Sequence, residues 1–394
     1  MRRIGTVSRG IRLPIVVQGD DIVKIVVDQV LEASQSSYEP FEIRNKDIVG
    51  ITESLVARAQ GNYVTPADIA EDVRAKIPEG DAVILFPLLS RNRFYPLLKG
   101  IIDGIRGKVH ILFSYPTDEV GNQLISPVDF YSKQSILKNE CFDEVEFYSV
   151  FGSFLHPFTG VDYIKLYKEI APDRVVVHFS NNPMNVFEYG KNIIVATIHA
   201  RELHKELLKR NGATIIGLDD ICTVPVREGM GYNEQYGLLG SNNTGEDMIK
   251  LFPRDSETFV QEVRASLKKR TGKDLEVLVY GDGAFKDPVC GIWELADPVV
   301  SPAFTDGLRG VPNEIKLKYV ADNAASGEAG SAVMDAIRGK KKGDSTIGED
   351  STLGTTPRRF PDLVGSLCDL TSGSGDKGTP VVYISGYFDN YSDQ

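Results

Sequence analysis

The stretch "VYGDGAFKDP" closes an apolar run, Leu275 to Tyr280, on one carboxylate, Asp282, set between two glycines. Neighbours without side chains let a ligand come close to the backbone and the acid, which suits a cation or the phosphates a cation would bridge. The same tripeptide also serves a turn needing positive φ, or a solvated loop, and both readings stay open. A second stretch, "SGSGDKG" (372–378), sets Gly373, Gly375 and Gly378 beside Ser374, Asp376 and Lys377. Backbone N–H groups freed of side chains can form an anion-binding concavity, and the lysine adds charge. The loop lacks the GK[ST] ending and the following helix of a P-loop, and a flexible hairpin loop is its alternative reading.

Two further polar clusters follow apolar runs: Asp118, Glu119 and Asn122 in "SYPTDEVGN", and Asn181 and Asn182 in "HFSNNP". In open α/β sheets ligands lie beyond the carboxyl ends of the strands, so these positions are candidates as well. Other chemistries find no support. The five histidines form no HExxH pattern, and His199 and His204 are five apart, which is off one helical face. There is no G-x-S-x-G elbow. The four cysteines, Cys141, Cys222, Cys290 and Cys368, make no CxxC pair.

These residues need a scaffold, and 394 residues with 42% hydrophobic content are ample for a core of two or three domains. The net charge of −11 argues against a nucleic-acid backbone as the main partner. "MRRIGTVSRG" lacks the apolar region of a signal peptide, and no run reaches membrane-helix length, so a reduced cytoplasmic protein is expected. The spacing predicts a helix in "GDDIVKIVVDQVLEAS", with Ile22, Ile25, Val26 and Val30 on one face and Asp20 or Asp21 as N-cap. A strand over Asp47–Ile51 and a short helix begun by Thr65 and Pro66 come next. Beyond residue 80, Val- and Ile-rich runs such as "DAVILFPLL" and "DRVVVHFSNNP" alternate with helical stretches, which reads as βαβ units with a largely parallel sheet. No G-x-G-x-x-G joins strand to helix there, which weakens an oxidoreductase reading. Later, "SETFVQEVRASLKKRTG" is an amphipathic helix stopped by Gly272. "NEIKLKYVADN" reads as an alternating strand entering a helix, Gly339–Pro361 as a mobile surface loop, and Val381–Ile384 as a strand.

Three blocks, in order, resemble the gamma-glutamyl ligases of the deazaflavin coenzyme F-420. "GIRLPIVVQGDDIVKIVV" with "DIVGITESLVARAQG" is similar to the family's Gly-Leu-Pro-Leu-Ile opening and its Ser-Lys-Ala-Glu-Gly-like turn. "YGLLGSNNTGEDMIKLFPRDSETF" through "LEVLVYGD" resembles a Gly-Ile-Asp-Ala-Ser-Asn stretch, a helix and a strand ending in a metal-binding Asp. "KYVADN" and "SGSGDKGTPVVYISG" are similar to Val-Ala-Asp-Glu and the family's Gly-rich nucleotide loop.

The resemblance implies an α+β ligase-like core, residues 1–79 and 236–394, split by an inserted α/β domain, 80–235. It implies a homodimer, GTP or ATP as co-substrate, and Mg2+ or Mn2+ held by Asp282. Nucleotide contacts are implied at Leu13, Pro14, Arg58, Asn242, Gly373, Ser374, Gly375, Lys377 and Gly378. The reaction implied is amide formation between glutamate, or another amino acid, and a carboxylate acceptor such as a deazaflavin coenzyme or a folate-like compound. The sequence departs from the family pattern at three places: Leu239 stands for an acid, Gly283 for a threonine and Ser374 for an acid. Asp118 and Glu119 are then candidate replacement ligands. The alternative is a nucleotide- or metabolite-binding protein that kept the fold without catalysis.

Overall fold

The structure is a computed structural model. It describes residues 4–137, 139–245, 247–281, 284–286, 293–295, 300–312, 316–322, 330, 334–335, 339, 358–373 and 377–389. The chain opens with β1 (Val7–Ile11), α1 (Ile22–Ser34), β2 (Ile48–Thr52), α2 (Glu53–Gln60), β3 (Tyr63–Val64) and α3 (Pro66–Lys76). Its middle carries β4 (Ala82–Leu85), α4 (Phe94–Gly104), β5 (Val109–Phe113), α5 (Pro127–Lys133), β6 (Phe142–Asp143), α6 (Glu144–Phe151) and α7 (Tyr163–Lys168). There follow β7 (Val175–Phe179), β8 (Asn192–Val195), α8 (Arg201–Arg210), β9 (Thr214–Gly217), β10 (Asn242–Asn243) and β11 (Ile249–Lys250). The last part holds α9 (Ser256–Thr271), β12 (Glu276–Tyr280), β13 (Ala284–Lys286), β14 (Trp293–Leu295), β15 (Ala303–Phe304), α10 (Leu317–Asp322), α11 (Phe360–Ser372) and β16 (Val381–Ser385). The expected α/β class is borne out.

The two ends of the chain build one sheet, in the order β1-β16-β2-β12-β15. Its central pair, β2 and β12, is parallel, while β16 runs antiparallel to both β1 and β2. Alternate residues face opposite ways along a strand, and here both directions are buried. Val49, Ile51, Val277, Val279 and Tyr383 meet Val26 and Val30 of α1 and Val263 and Leu267 of α9. Ile48, Leu278, Tyr280, Val382 and Ile384 meet Val364 and Cys368 of α11. Gly50 is what lets α11 lie so close, because a Cβ there would collide with the Cys368 sulfur.

A second sheet runs β6-β7-β5-β4-β8-β9, parallel throughout except for β6. Helices and loops cover both faces, which is why its strands read as unbroken apolar runs. Its larger core includes Ile84, Ile111, Val177 and Ile194, and reaches back to Ile69 and Val73 of α3 and forward to Leu239 and Leu251. A small third sheet, β10-β11-β3, stands beside α2.

Local expectations are met with adjustments. Asp21 caps α1, its side chain accepting from Lys24 N, but the buried stripe is Ile22, Val26, Val27 and Val30, with Ile25 only half-buried. Thr65 and Asp68 form a capping box on α3. Residues Leu317–Asp322 are helical, which corrects the alternating strand expected there: a four-residue alternation is too short to separate the two periods. Of the loop expected over Gly339–Pro361, residues 340–357 lie outside the described residues, and Phe360 and Pro361 open α11.

One pairing in the second sheet couples its stability to pH. On β5 and β7, His110 Nδ1 lies 3.0 Å from His178 Nε2, and Tyr189 stacks on His178 at 3.7 Å between centroids. Burial, then the neighbouring His110, push His178 down to about 4; burial also lowers His110. A histidine depressed in the fold gives stability that is fully present above the unfolded value near 6.5 and is lost as pH falls towards 4. Allowing for partial solvent access, acidification from pH 7 to 4.5 should cost about 2 kcal/mol through this pair. Urea unfolding at both pH values should show a shallower loss in His178→Phe; an identical pH slope in the variant would remove the assignment.

Candidate functional site

Strand directions bring several separate segments to one end of the first sheet. β2 and β12 run in parallel and finish level, Thr52 beside Tyr280, while β16 begins at Val381 opposite Ile51 and Ile11. The loop before β16 therefore meets the carboxyl ends of β1, β2 and β12. Thr52 N donates to Pro380 O at 3.0 Å, Tyr280 OH to the same oxygen at 3.3 Å, and Leu13 N to Gly378 O at 3.3 Å. The segment from Leu13 continues along α2, where Gly19 N donates to Ala59 O at 2.8 Å. Arg58 is exposed on that helix, next in sequence to Ala59.

The structure thus brings Leu13 and Gly378 together at this sheet end, with Pro14 and Lys377 adjoining them in sequence, while Arg58 stands on α2, six residues past the end of β2. Gly373 joins them: it closes α11 at φ +63°, and a Cβ on it would stand 2.6 Å from Lys377 Nζ. The Lys377 amine thus lies close to Gly373, whose positive φ suits a glycine. Ser374 and Gly375 lie outside the described residues, as do Asp282 and Gly283. Gly281, the last described residue before Asp282, donates its N–H to Val300 O at 2.8 Å.

Asn242 stands on β10, directly across from Lys250 of β11. Lys250 is 6% exposed, and its Nζ donates to Ser54 Oγ on the first turn of α2. Glu53, also buried, opens the same helix where β2 ends. Glu53, Ser54 and Lys250 escaped the sequence reasoning. The signal was there in part: "ITES" is a buried strand ending on polar residues, the pattern that draws attention to Asp282.

Asp118 and Glu119 sit in the loop after β5 of the other sheet, and their carboxylates are engaged with N–H groups. Asp118 accepts from Leu89 N and Asn122 Nδ2 on one oxygen and from Val120 N and Asn122 N on the other, at 2.8 to 3.1 Å. Burial pushes its pKa up to about 6, against the pull of those donors. Glu119 accepts from the backbone N–H groups of Ile198, His199 and Ala200, and so ties the loop after β5 to the segment that leads into α8. Asn181 brackets the Tyr115 backbone, and Asn182 caps the turn after β7. Leu239 is buried in the larger core. Among the described residues, no group of three or more His, Cys, Asp or Glu side chains could hold a metal ion.

In α/β proteins, ligands commonly lie beyond strand ends, and here the segment before β16 meets the ends of β1, β2 and β12. The F420-0:gamma-glutamyl ligase family model matches residues 10–386, and the chain belongs to that family of amide ligases. No curated protein matches the chain. No helix among the described residues is long and apolar enough to cross a membrane.

Proposed function

We propose that the protein joins glutamate, or another amino acid, to a carboxylate acceptor such as a deazaflavin coenzyme or a folate-like compound, with GTP or ATP as co-substrate. The reading is supported by the meeting of the segment after β1 with the segment before β16 at the end of β2 and β12, where Leu13 N donates to Gly378 O and exposed Lys377 stands next to Gly378 in sequence. An acceptor carboxylate oxygen attacks the terminal phosphorus, and the nucleoside diphosphate leaves. The amine then adds to the acyl carbon, phosphate departs with the bridging oxygen, and the amine gives up a proton. Both steps need positioning and charge rather than a strong nucleophile. Lys377 and Arg58 supply mobile positive charge for the phosphates, and the Gly373–Gly378 turn supplies donors. A homodimer and a dependence on Mg2+ or Mn2+ belong to the same reading.

The test is to incubate the protein with GTP or ATP, Mg2+, glutamate and a deazaflavin acceptor. A glutamyl adduct on the acceptor with equal phosphate release is expected; nucleotide binding without phosphate release would favour the non-catalytic reading, which buried Leu239 supports. Lys377 is exposed, so Lys377→Ala should weaken nucleotide binding about tenfold while moving stability by less than ~0.5 kcal/mol. Calorimetric titration and a melting curve on the same sample check both halves.

A further inference from the structure

We propose that the cleft at the start of α9 binds a free α-amino acid, the amine donor of the ligation; its role as donor rests on the ligase reading. The cleft has a volume of about 260 Å3, below the ~300–1,000 Å3 of pockets that take drug-sized ligands. Its wall combines Tyr232 and Glu234 with the segment Pro253–Thr258, which leads into α9, and with Pro302. Pro302 fixes where the cleft lies. It precedes β15, whose Ala303 pairs with Val279, one residue short of the carboxyl end of β12. Two residues before Pro302, Val300 O holds Gly281 N, and Asp282 is next in sequence. The cleft therefore adjoins the strand tip where the ligase reading puts cation and nucleotide.

The charges that line the cleft are kept apart. Arg254 is half-buried, and its guanidinium stacks on the Tyr232 ring, 5.0 Å from the centroid. The Gln60 side chain holds its backbone from both sides, accepting from Arg254 N at 2.8 Å and donating to Arg254 O at 2.7 Å. Glu234, Asp255 and Glu257 are exposed in the same cleft, yet among the described residues no carboxylate lies within 4.0 Å of the guanidinium. Gln60 O accepts from Arg254 Nη2 only at 3.5 Å, which leaves the planar fork able to take a carboxylate, the group it matches best. No side chain caps α9, and its first-turn N–H groups at Glu257 and Thr258 belong to the segment that lines the cleft. Opposite charges that share one small cleft without neutralising each other match a zwitterion. The carboxylate goes to Arg254 and the helix start, and the ammonium to Glu234 and Glu257. A simple anion would meet three acids there, and a simple cation the arginine.

The experiment measures calorimetric binding of glutamate, alanine and lysine to the full chain, with and without GTP or ATP and Mg2+. At least one should bind. Removing either charged group from it, as glutarate and 4-aminobutyrate do for glutamate, should cost at least about tenfold in affinity. Arg254→Met should lose about as much, while Arg254→Lys retains a part of it. No binding of any of the three amino acids overturns the inference, as does affinity within twofold of the parent in folded Arg254→Met. Equal binding of an analogue without the ammonium also overturns it, since that marks a plain anion site. If Arg254→Met does not fold, Glu234→Gln combined with Glu257→Gln decides, because both positions are exposed. That variant should lose affinity severalfold, and parent-like binding in it sinks the assignment. If an amino acid binds but no adduct forms with nucleotide and acceptor, the ligase reading falls and the cleft stands as an amino-acid site. If an adduct forms and Arg254→Met leaves the KM for the amino acid unchanged, the cleft assignment falls alone.

Discussion

Asp118→Asn should lose about 2–4 kcal/mol of folding stability at neutral pH, with no change in any cation-dependent property. The carboxylate takes two N–H donors on each oxygen, tying Leu89, after β4, to the Val120–Asn122 turn after β5. Asparagine has the same shape but turns one acceptor into an NH2 group. Whichever way the amide is placed, two buried donors face another donor, and each unmet donor costs about 1–3 kcal/mol, with relaxation keeping the sum below full additivity. Glu119→Gln should be milder, about 1 kcal/mol, because one oxygen can still accept from the exposed backbone N–H groups just before α8. Were Asp118 a metal ligand, the order would reverse: stability would hold and a cation response would vanish. Urea unfolding with and without Mg2+ separates the two, and a loss under ~0.5 kcal/mol for Asp118→Asn would defeat the structural assignment.

What could be read from the sequence depended on whether a segment's burial was set locally. The strands of the second sheet are buried on both faces, so Ala82–Leu85 and Val175–Phe179 announce themselves as continuous apolar runs. α1 and α9 show a helical stripe and good stop signals, Gly272 among them. α2 was not legible as a helix, because Glu53 and Ser54 at its start are placed by the sheet and not by its own pattern. α11 was missed for a related reason. Its packing face uses Gly365 and Cys368, small residues that allow close approach to Ser301 and Gly50 rather than forming an apolar period. The site divides the same way. The Gly373–Gly378 loop is visible from composition, since glycine density has a local meaning. Lys250 becomes remarkable only once β11 pairs with β3 and carries it to Ser54, a contact no window along the chain contains.

Asp282→Asn should remove the cation-dependent part of nucleotide stabilisation and lower ligase turnover roughly a hundredfold or more, while leaving the unliganded protein as stable as the parent. The expectation comes from where the strand ends. β12 finishes level with β2, Gly281 N is held by Val300 O, and the next residue is the acid. With a cation and nucleotide at a hundred times their dissociation constants, linkage raises parent stability by about 2.7 kcal/mol. Asparagine keeps the local hydrogen bonds of a turn but carries no charge, so it discriminates a ligand from a turn-former in one substitution. The measurement is the melting temperature with nucleotide, with and without Mg2+ or Mn2+, for parent and variant. If the variant shows the parent's full cation-dependent rise, Asp282 is a turn residue. Phosphate recognition would then fall to the exposed Lys377, beside Gly373 and Gly378, which needs no acid next to it to attract an anion.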